Sequence, residues 1–202
     1  MEKEKILHTA TDSFLTLGFK SVTMDDLANE MGISKKTIYN HFNNKTDLVK
    51  ECTMRLFDQI SLGINHICDQ KKNPIEELYD IKKFVMLHLK NEASSPEYQL
   101  QKYYPAIHAN LKHKQFELIE SCVSQNVDRG IKMNIYRENL DIPFVVRIYY
   151  IGVTGIKDAS LFPQEQFAIL TLMDTYLEYH LRGIVTLKGR ETLNKIINSN
   201  KN

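Results

Sequence analysis

With 202 residues, the chain is long enough to form one domain or two small ones around a sizeable core. Its formal net charge of +1 excludes nucleic-acid binding driven by global charge and leaves only a local basic patch for that role. The chain has no long apolar run, and its N-terminal MEKEKIL lacks the apolar core of a signal peptide. We therefore expect no membrane span and a cytoplasmic location.

The first predicted helix runs from Glu2 to Leu17, where apolar residues recur at spacings of three and four. Its apolar stripe consists of Ile6, Leu7, Ala10, Phe14 and Leu17. Gly18 ends the helix. Since an amphipathic helix packs its apolar face onto its neighbours, we expect this one to support the two short helices that follow and to fix their angle.

Residues 23–45, TMDDLANEMGISKKTIYNHFNNK, predict two short helices joined by a tight turn. Thr23 caps the first helix, and two acidic residues in its first turn suit the positive end of the helix dipole. Gly32 ends it, because the chain then turns through a left-handed conformation that glycine adopts at little cost. Ser34 caps the second helix, which is predicted to run to about Phe42.

This second short helix has two unlike faces at about 100° per residue. Ile38 and Phe42 lie together on the side predicted to be buried. The opposite side carries a lysine, a hydroxyl, a phenol and an amide: Lys36, Thr37, Tyr39 and Asn40. Such groups can contact base edges and phosphates, and residues 31–46 contain no acid to repel DNA. The face therefore predicts DNA binding; the alternative is the solvated polar face of an ordinary helical hairpin.

A fourth helix is predicted from the Asn44 cap, with Asp47 at its third position, to about Gln70. It is long enough to leave the DNA-binding head and enter a second domain, so we expect a rigid helical connection. Movement of this helix is the predicted route by which a distant event alters the head. Pro74 opens a fifth helix, which is apolar around much of its girth and therefore predicted to be buried on several sides.

Two more helices are predicted before residue 130. Residues 91–96, NEASSP, are predicted to form a loop. The sixth helix runs from Glu97 to about Leu111, with Pro105 expected to kink or split it. The seventh helix runs from Lys112 to Arg129.

The C-terminal part predicts three helices. Asp141 caps the eighth, with Pro143 just inside it. Pro163 opens the ninth, and a short tenth spans Arg190 to Asn198. No sustained alternation of apolar and polar residues and no Asn-Gly or Asp-Gly hairpin competes with these helices.

The predicted fold class is therefore all-α, with about nine or ten helices. Residues 1–48 form a three-helix helix-turn-helix DNA-binding domain. Residues 49–202 form a helical bundle that serves as a regulatory, ligand-binding and dimerisation domain.

Residues 6–50 resemble the DNA-binding domain of the TetR family of bacterial transcriptional regulators. The similar residues are Phe14, Gly18 and Phe19 at the end of the first helix, Thr23, Ala28, Gly32-Ile33-Ser34, the Tyr39-x-x-Phe42 pair, and Lys45-x-x-Leu48. The rest of the chain resembles the family only in its length and helical character. The resemblance implies a transcriptional regulator that dimerises through its last two long helices.

Within the head, Lys36, Thr37 and Asn40 are predicted to reach base edges. Residues around them are predicted to hold phosphates: Thr23, Ser34, Tyr39, His41 and Lys45. Lys35, which lies nearer the buried side, completes the predicted DNA-contacting set. Because such motifs usually work as symmetric pairs that meet successive major grooves, the predicted partner is a palindromic double-stranded operator.

The homodimer is predicted to form through the eighth and ninth helices, which dock with their twins as a four-helix bundle. Small residues in the eighth helix would let a partner helix approach closely, beside a second long amphipathic helix. The candidate interface residues are Ile148, Gly152, Gly155, Leu170, Asp174, Leu177 and Leu181. The alternative is that both helices complete the core of a monomer.

Aromatic and polar-tipped residues gather in the fifth to eighth helices, as a mostly apolar small-molecule site requires. The candidates are Phe84, His88, Tyr103, Tyr104, His108, Phe116, Tyr149 and Tyr150. For each of them the alternative is an ordinary place in the core or on the surface. A ligand that prefers one arrangement of the fourth helix would shift the spacing of the two reading helices and release the operator. The chain is therefore interpreted as a repressor with an unknown small-molecule effector.

Other chemistry finds little support in the sequence. The seven histidines form no HExxH and no convincing metal spacing, so no metal or cofactor is expected. No acid, base and nucleophile can be assembled into a catalytic site, so we expect no enzyme. The cysteines, Cys52, Cys68 and Cys122, form no CxxC pair and are predicted to be reduced, buried thiols. Two alternatives stay open: a thiol-based redox-sensing regulator using Cys52 or Cys68, and a helical protein-interaction module without DNA binding.

Overall fold

A computed structural model describes residues 2–88, 96–163 and 165–199 of the chain. In these ranges the backbone forms ten α-helices and no strand, and one isolated bridge joins Tyr136 to Val185. The helices are α1 (Glu2–Leu17), α2 (Met24–Met31), α3 (Lys35–Tyr39), α4 (Lys45–Asp69), α5 (Pro74–His88), α6 (Pro96–Tyr103), α7 (Pro105–Lys132), α8 (Ile142–Gly155), α9 (Ile169–Ile184) and α10 (Leu187–Ser199). The predicted all-α class is confirmed.

The chain divides into two compact units. The N-terminal unit comprises Met1–Leu62 and His88–Gln115, and the C-terminal unit comprises Gly63–Leu87 and Phe116–Asn202. Both unit borders fall inside helices, so α4 and α7 each contribute residues to both units. The division of the chain between residues 48 and 49 stays a prediction.

The core of the N-terminal unit contains more than the first four helices. Phe14, Ile38 and Leu48 are buried in it, as the amphipathic pattern of the first fifty residues predicts. Leu100 of α6 and Ile107 of α7 are buried in the same core. Residues from the middle of the chain therefore complete the hydrophobic interior beneath the helix-turn-helix.

The turns around α2 and α3 follow their sequence signals. Thr23 and Asp26 form a capping box at the start of α2, in which the Asp26 amide donates to Thr23 Oγ1 at 3.1 Å and the Thr23 amide donates to Asp26 Oδ2 at 2.8 Å. Gly32, with φ of +63°, ends α2 in the left-handed region that favours glycine. Ser34 Oγ accepts from the Thr37 amide at 3.1 Å and caps α3.

The helix α3 is shorter than predicted. It ends at Tyr39, and Asn40 is its C-cap. The chain then continues as one tight turn, in which the Phe42 amide donates to the Ile38 carbonyl at 3.1 Å. The residues after Tyr39, Asn-His-Phe-Asn-Asn, have low intrinsic helix propensity, which accounts for the early end.

The predicted division of the middle of the chain into helices is wrong in one respect. Pro105 separates α6 from α7, and α7 then runs without a break through residue 112 to Lys132. Proline lacks an amide donor and is tolerated in the first turn of a helix, so it favours a helix start at this position. The loop predicted at 91–96 lies almost wholly outside the described residues.

The ninth helix begins at Ile169, whereas the sequence predicted a start at Pro163. Pro163 opens only a single turn, in which the Phe167 amide donates to the Pro163 carbonyl at 2.9 Å. Ala168, with ψ of 126°, then leaves the helical region before α9 begins.

The C-terminal unit packs α5, the second part of α7, α8, α9 and α10 around one apolar core. Ile75, Val146, Leu181 and Leu193 are fully buried there, together with the ring of Tyr136. None of the helices in the described ranges is both long and apolar enough to cross a membrane.

A buried polar cluster lies within this C-terminal core. The Glu77 carboxylate pairs with Arg129 and accepts from Asn126 Nδ2 at 2.8 Å. Asn126 also donates to the Pro74 carbonyl at 2.9 Å and accepts from the Tyr136 hydroxyl at 3.1 Å. These partners offset the cost of removing a carboxylate and an amide from water.

Candidate nucleic-acid interface

The two faces of α3 differ as its sequence predicts. Ile38 and, just beyond the helix, Phe42 are buried in the core of the N-terminal unit. Lys36, Tyr39 and Asn40 are exposed on the other side. An exposed lysine and amide on a helix anchored from behind can meet base edges in a major groove.

Thr37 differs from the other two residues predicted to read bases. Its side chain is only partly exposed, and its hydroxyl lies 2.8 Å from the hydroxyl of Ser34. Both hydroxyls are therefore engaged in the cap at the start of α3. The methyl group of Thr37 remains for contact with a thymine methyl group.

Acidic residues at the start of α2 hold two of the residues predicted to bind phosphate. The Thr23 hydroxyl donates to Asp26 at 2.7 Å, and hydrogen bonds from Thr23 lower the pKa of the Asp26 carboxyl. Lys35 pairs with Asp25 at 2.7 Å, and this hydrogen bond raises the pKa of Lys35. A phosphate contact at either residue would compete with a carboxylate that is already bound.

Lys45 and His41 are held by other parts of the N-terminal unit. Lys45 is the first residue of α4, and its Nζ donates to the Lys20 carbonyl at 3.3 Å. Burial lowers the pKa of the Lys45 ammonium, so an anion that takes the place of lost water would stabilise its charged form. His41 Nε2 lies 3.2 Å from the carboxylate of Glu2.

Comparison with known proteins agrees with this geometry. Residues 6–52 match the family described as bacterial regulatory proteins, tetR family. The chain belongs to the TetR family. Over 150 residues it is 23% identical to the HTH-type transcriptional repressor KstR2 of Mycobacterium tuberculosis strain H37Rv, which covers 71% of this chain and 73% of that protein. The KstR2 of Mycolicibacterium smegmatis is 29% identical over 76 residues, which cover only 38% of this chain and 37% of that protein.

The similarity of fold extends beyond the head. A transcriptional regulator from Saccharomonospora viridis, solved in complex with choline, aligns with a TM-score of 0.72 at 18% sequence identity. The alignment covers 91% of this chain and 97% of that structure. At this level of identity the match shows a shared TetR-family fold.

Several residues predicted to form the dimer interface of this TetR-family chain lie inside a single copy. Leu177 and Leu181 are 3% and 0% exposed, so they have almost no surface left to bury against a partner. Gly152 lies directly under the ring of Tyr176 from α9 of the same chain. Gly155, in contrast, faces open space.

The other predicted interface residues are exposed. Ile148 and Leu170 keep much of their apolar surface in solvent, and the exposed Asp174 pairs with Lys82. Sequence reasoning missed Phe144 and Ile151, which are each 60% exposed. With Ile148 they recur at spacings of four and three along α8, opposite the buried stripe of Val145, Val146 and Tyr149. The signal was therefore present, but a helix that is apolar on both sides hides which side faces inward.

The residues predicted to line a ligand site fall in both units. The N-terminal unit contains His88, Tyr103, Tyr104 and His108, and the C-terminal unit contains Phe84, Phe116, Tyr149 and Tyr150. Within the N-terminal unit, Tyr104 packs against Phe19 with ring centroids 6.3 Å apart, so it supports the core of the head. His108 lies 3.8 Å from Glu97, and Tyr103 is exposed.

In the C-terminal unit the aromatic candidates form two clusters. Phe116 and Tyr150 meet edge to face at 5.3 Å. Tyr149 is buried with its ring 5.2 Å from that of His180, whose pKa burial lowers to about 4. His180 is therefore neutral at physiological pH, in an apolar aromatic setting. The ligand-lining role of these residues stays a prediction.

The three free cysteines differ in their surroundings. Burial raises the pKa of Cys52 to about 11, which leaves it a protonated and unreactive thiol at neutral pH. Cys68 is only partly buried, which departs from the prediction of three buried thiols. A hydrogen bond between Cys68 and Cys122 lowers the pKa of Cys68 and raises that of Cys122.

Proposed function

We propose that this chain is a transcriptional repressor that binds a palindromic operator as a homodimer and releases it when a small molecule binds. The observation that carries the proposal is the outward face of α3. Lys36 and Asn40 are exposed there, while Ile38 anchors the opposite side of the helix in the core. The printed names of the KstR2 relatives support the direction of regulation, since both are repressors.

DNA reading is divided among the residues of the head. Asn40 and Lys36 contact base edges, with Asn suited to adenine and Lys to guanine or phosphate. Lys45, Tyr39 and His41 hold phosphates on either side of the groove and set the register of α3. Lys45 is the strongest phosphate ligand of the three, because its ammonium is partly desolvated and has only a backbone carbonyl as hydrogen-bond partner at 3.3 Å.

The dimer is supported by the stripe of Phe144, Ile148 and Ile151 on α8. A monomer gains nothing from a continuous apolar stripe in water, whereas a symmetric interface buries it twice. Gly155 lies one helical step beyond the stripe in open space, where the absence of a side chain lets a second helix approach. The interface proposed here therefore centres on this face of α8.

Release by a ligand is supported by the fold. The structurally similar regulator from Saccharomonospora viridis was solved with choline, so a small molecule binds that protein. In this chain α4 and α7 each contribute residues to both units, so a displacement can pass along a continuous helix. A ligand that favours the displaced arrangement lowers operator affinity by population shift.

The proposal is tested by selecting bound sequences from a random duplex pool with the wild-type protein. We expect an enriched palindrome whose half-sites lie one helical turn apart, and binding that weakens with salt. Asn40→Ala should relax the preference at one position of each half-site. Asn110→Ala, which removes an exposed amide from α7 in the same unit, is the matched control and should retain the palindrome.

Two results would contradict the proposal. Wild-type protein that enriches no sequence and shows no salt-dependent binding would favour the protein-interaction alternative. An enriched site that lacks two-fold symmetry would remove the homodimer while leaving DNA reading in place. Operator release is then tested with compounds that raise the melting temperature of the protein, because a ligand stabilises the state it binds.

A further inference from the structure

The N-terminal unit carries a group of cations and phenols that the helix-turn-helix does not include. Lys20 Nζ lies 4.9 Å and Lys102 Nζ lies 5.6 Å from the centroid of the Tyr103 ring. Tyr98 supplies a second ring 5.6 Å from Lys102 Nζ, and its hydroxyl lies 3.5 Å from the same ammonium. All four side chains are exposed. We name Lys20, Tyr98, Lys102 and Tyr103 the lysine–tyrosine cluster.

This cluster lies next to a residue that faces the DNA. The Lys20 carbonyl accepts from Lys45 Nζ at 3.3 Å, which joins the loop between α1 and α2 to the start of α4. The Lys20 amide donates to Gln99 Oε1 at 3.0 Å, which joins the same loop to α6. The Gln99 amide also covers Gly18, where no larger side chain would fit. The loop is therefore fixed between α4 and α6.

The charges of the cluster are not neutralised by acids. Among the described residues, no carboxylate lies within 4.0 Å of the Nζ atoms of Lys20, Lys45 or Lys102. Other lysines of the same unit are paired: Lys3 with Glu51, Lys35 with Asp25, and Lys112 with Glu97. The Tyr98 hydrogen bond raises the pKa of Lys102, so that lysine stays charged at neutral pH.

We propose that the lysine–tyrosine cluster binds DNA phosphates beside those contacted by Lys45, so that the DNA footprint extends from the helix-turn-helix onto α6. This inference rests on the proposed DNA-binding function. Lysine ammoniums attract phosphates as point charges, and the phenols hold them in place and donate hydrogen bonds of their own. Contacts of this kind contribute affinity and orientation and carry no base preference.

The test uses the full-length variant with Lys20→Gln and Lys102→Gln on one operator duplex. Each phosphate contact contributes about 0.9 to the slope of log affinity against log salt, so a rise from about 50 to 200 mM salt costs roughly 3.5-fold per contact. A dimer that loses two contacts per subunit should therefore lose less affinity over this range than the wild type, by up to about 150-fold. Its preferred sequence should not change.

Two matched variants accompany it. Lys83→Gln with Lys195→Gln removes the same charge from exposed sites of the C-terminal unit and should keep the wild-type salt dependence. Lys20→Arg with Lys102→Arg keeps the charge and should also behave like the wild type. Equal melting temperatures for all variants show that none acts through unfolding.

The outcomes separate this inference from the function it rests on. If the wild type binds its operator and the Gln variant keeps the wild-type salt dependence, the cluster does not contact DNA, and the proposed function stands. If the charge-matched control changes as much as the Gln variant, the effect comes from net charge and the cluster is again excluded. If the wild type binds no duplex in a salt-dependent manner, the proposed function itself fails.

Discussion

Removing one side chain from the exposed stripe of α8 should weaken the dimer without unfolding the protomer. Ile151 is 60% exposed in the single chain and lies on the side of α8 opposite Val146 and Tyr149. It therefore contributes little to the core of the C-terminal unit. Its remaining apolar surface can be buried only by another molecule, and in a symmetric dimer it would be buried twice.

The size of the effect follows from that exposure. Complete burial of an isoleucine side chain is worth about 1.5–3 kcal/mol. With 60% of Ile151 still exposed, burial in the dimer contributes about 1–2 kcal/mol per copy, or about 2–4 kcal/mol per dimer. At about 1.4 kcal/mol per tenfold change, Ile151→Ala should raise the dimer dissociation constant roughly 30- to 700-fold.

Sedimentation equilibrium over a range of protein concentrations measures this constant directly. Leu187→Ala is the matched control, because Leu187 of α10 is 81% exposed and lies on a different helix. It should leave the constant unchanged. Equal dissociation constants for wild type and Ile151→Ala would refute the assignment of α8 to the interface, and an equal loss in both variants would show that any exposed apolar residue has the same effect.

Three further predictions concern other parts of the chain. Asn40→Ala should cost about 1–3 kcal/mol at one base position only, as measured by competition between operators that differ at single base pairs. Arg129→Met should lower the free energy of unfolding in urea by about 3–5 kcal/mol, because Glu77 is left charged and buried; adding Glu77→Gln should recover most of the loss. A maleimide at pH 8 should label Cys68 well before Cys52, whose thiol has a pKa of about 11, as mass spectrometry would show; earlier labelling of Cys52 would contradict this, and a change in operator affinity on labelling Cys68 would favour the redox-sensing alternative.

Features set by a few neighbouring residues were predictable from the sequence. The cap at Thr23, the left-handed Gly32 and the start of α5 at Pro74 all depend on local hydrogen bonding and backbone preference. The two faces of α3 followed from helical geometry alone. Even here one local detail was missed, because the hydroxyl pair of Ser34 and Thr37 forms only once the cap is in place.

Features set by distant contacts were not predictable from periodicity. An apolar stripe shows that a helix is buried on one side but not what covers it. Leu100 and Ile107 were placed in a ligand domain, yet they complete the core of the N-terminal unit. On α8 and α9, helical spacing alone could not show that Leu181 faces inward while Phe144 faces solvent.

The place of α6 and α7 in the N-terminal core changes how release of DNA can work. The sequence suggested that movement of α4 carries the signal to the head. However, Leu100 and Ile107 share a core with Phe14 and Ile38, and Ile38 is the residue that anchors α3. Close-packed cores transmit small displacements, so a shift of α6 alters the support of α3 directly. If the lysine–tyrosine cluster on α6 also holds phosphates, the same shift removes those contacts, and one movement weakens both base reading and backbone binding.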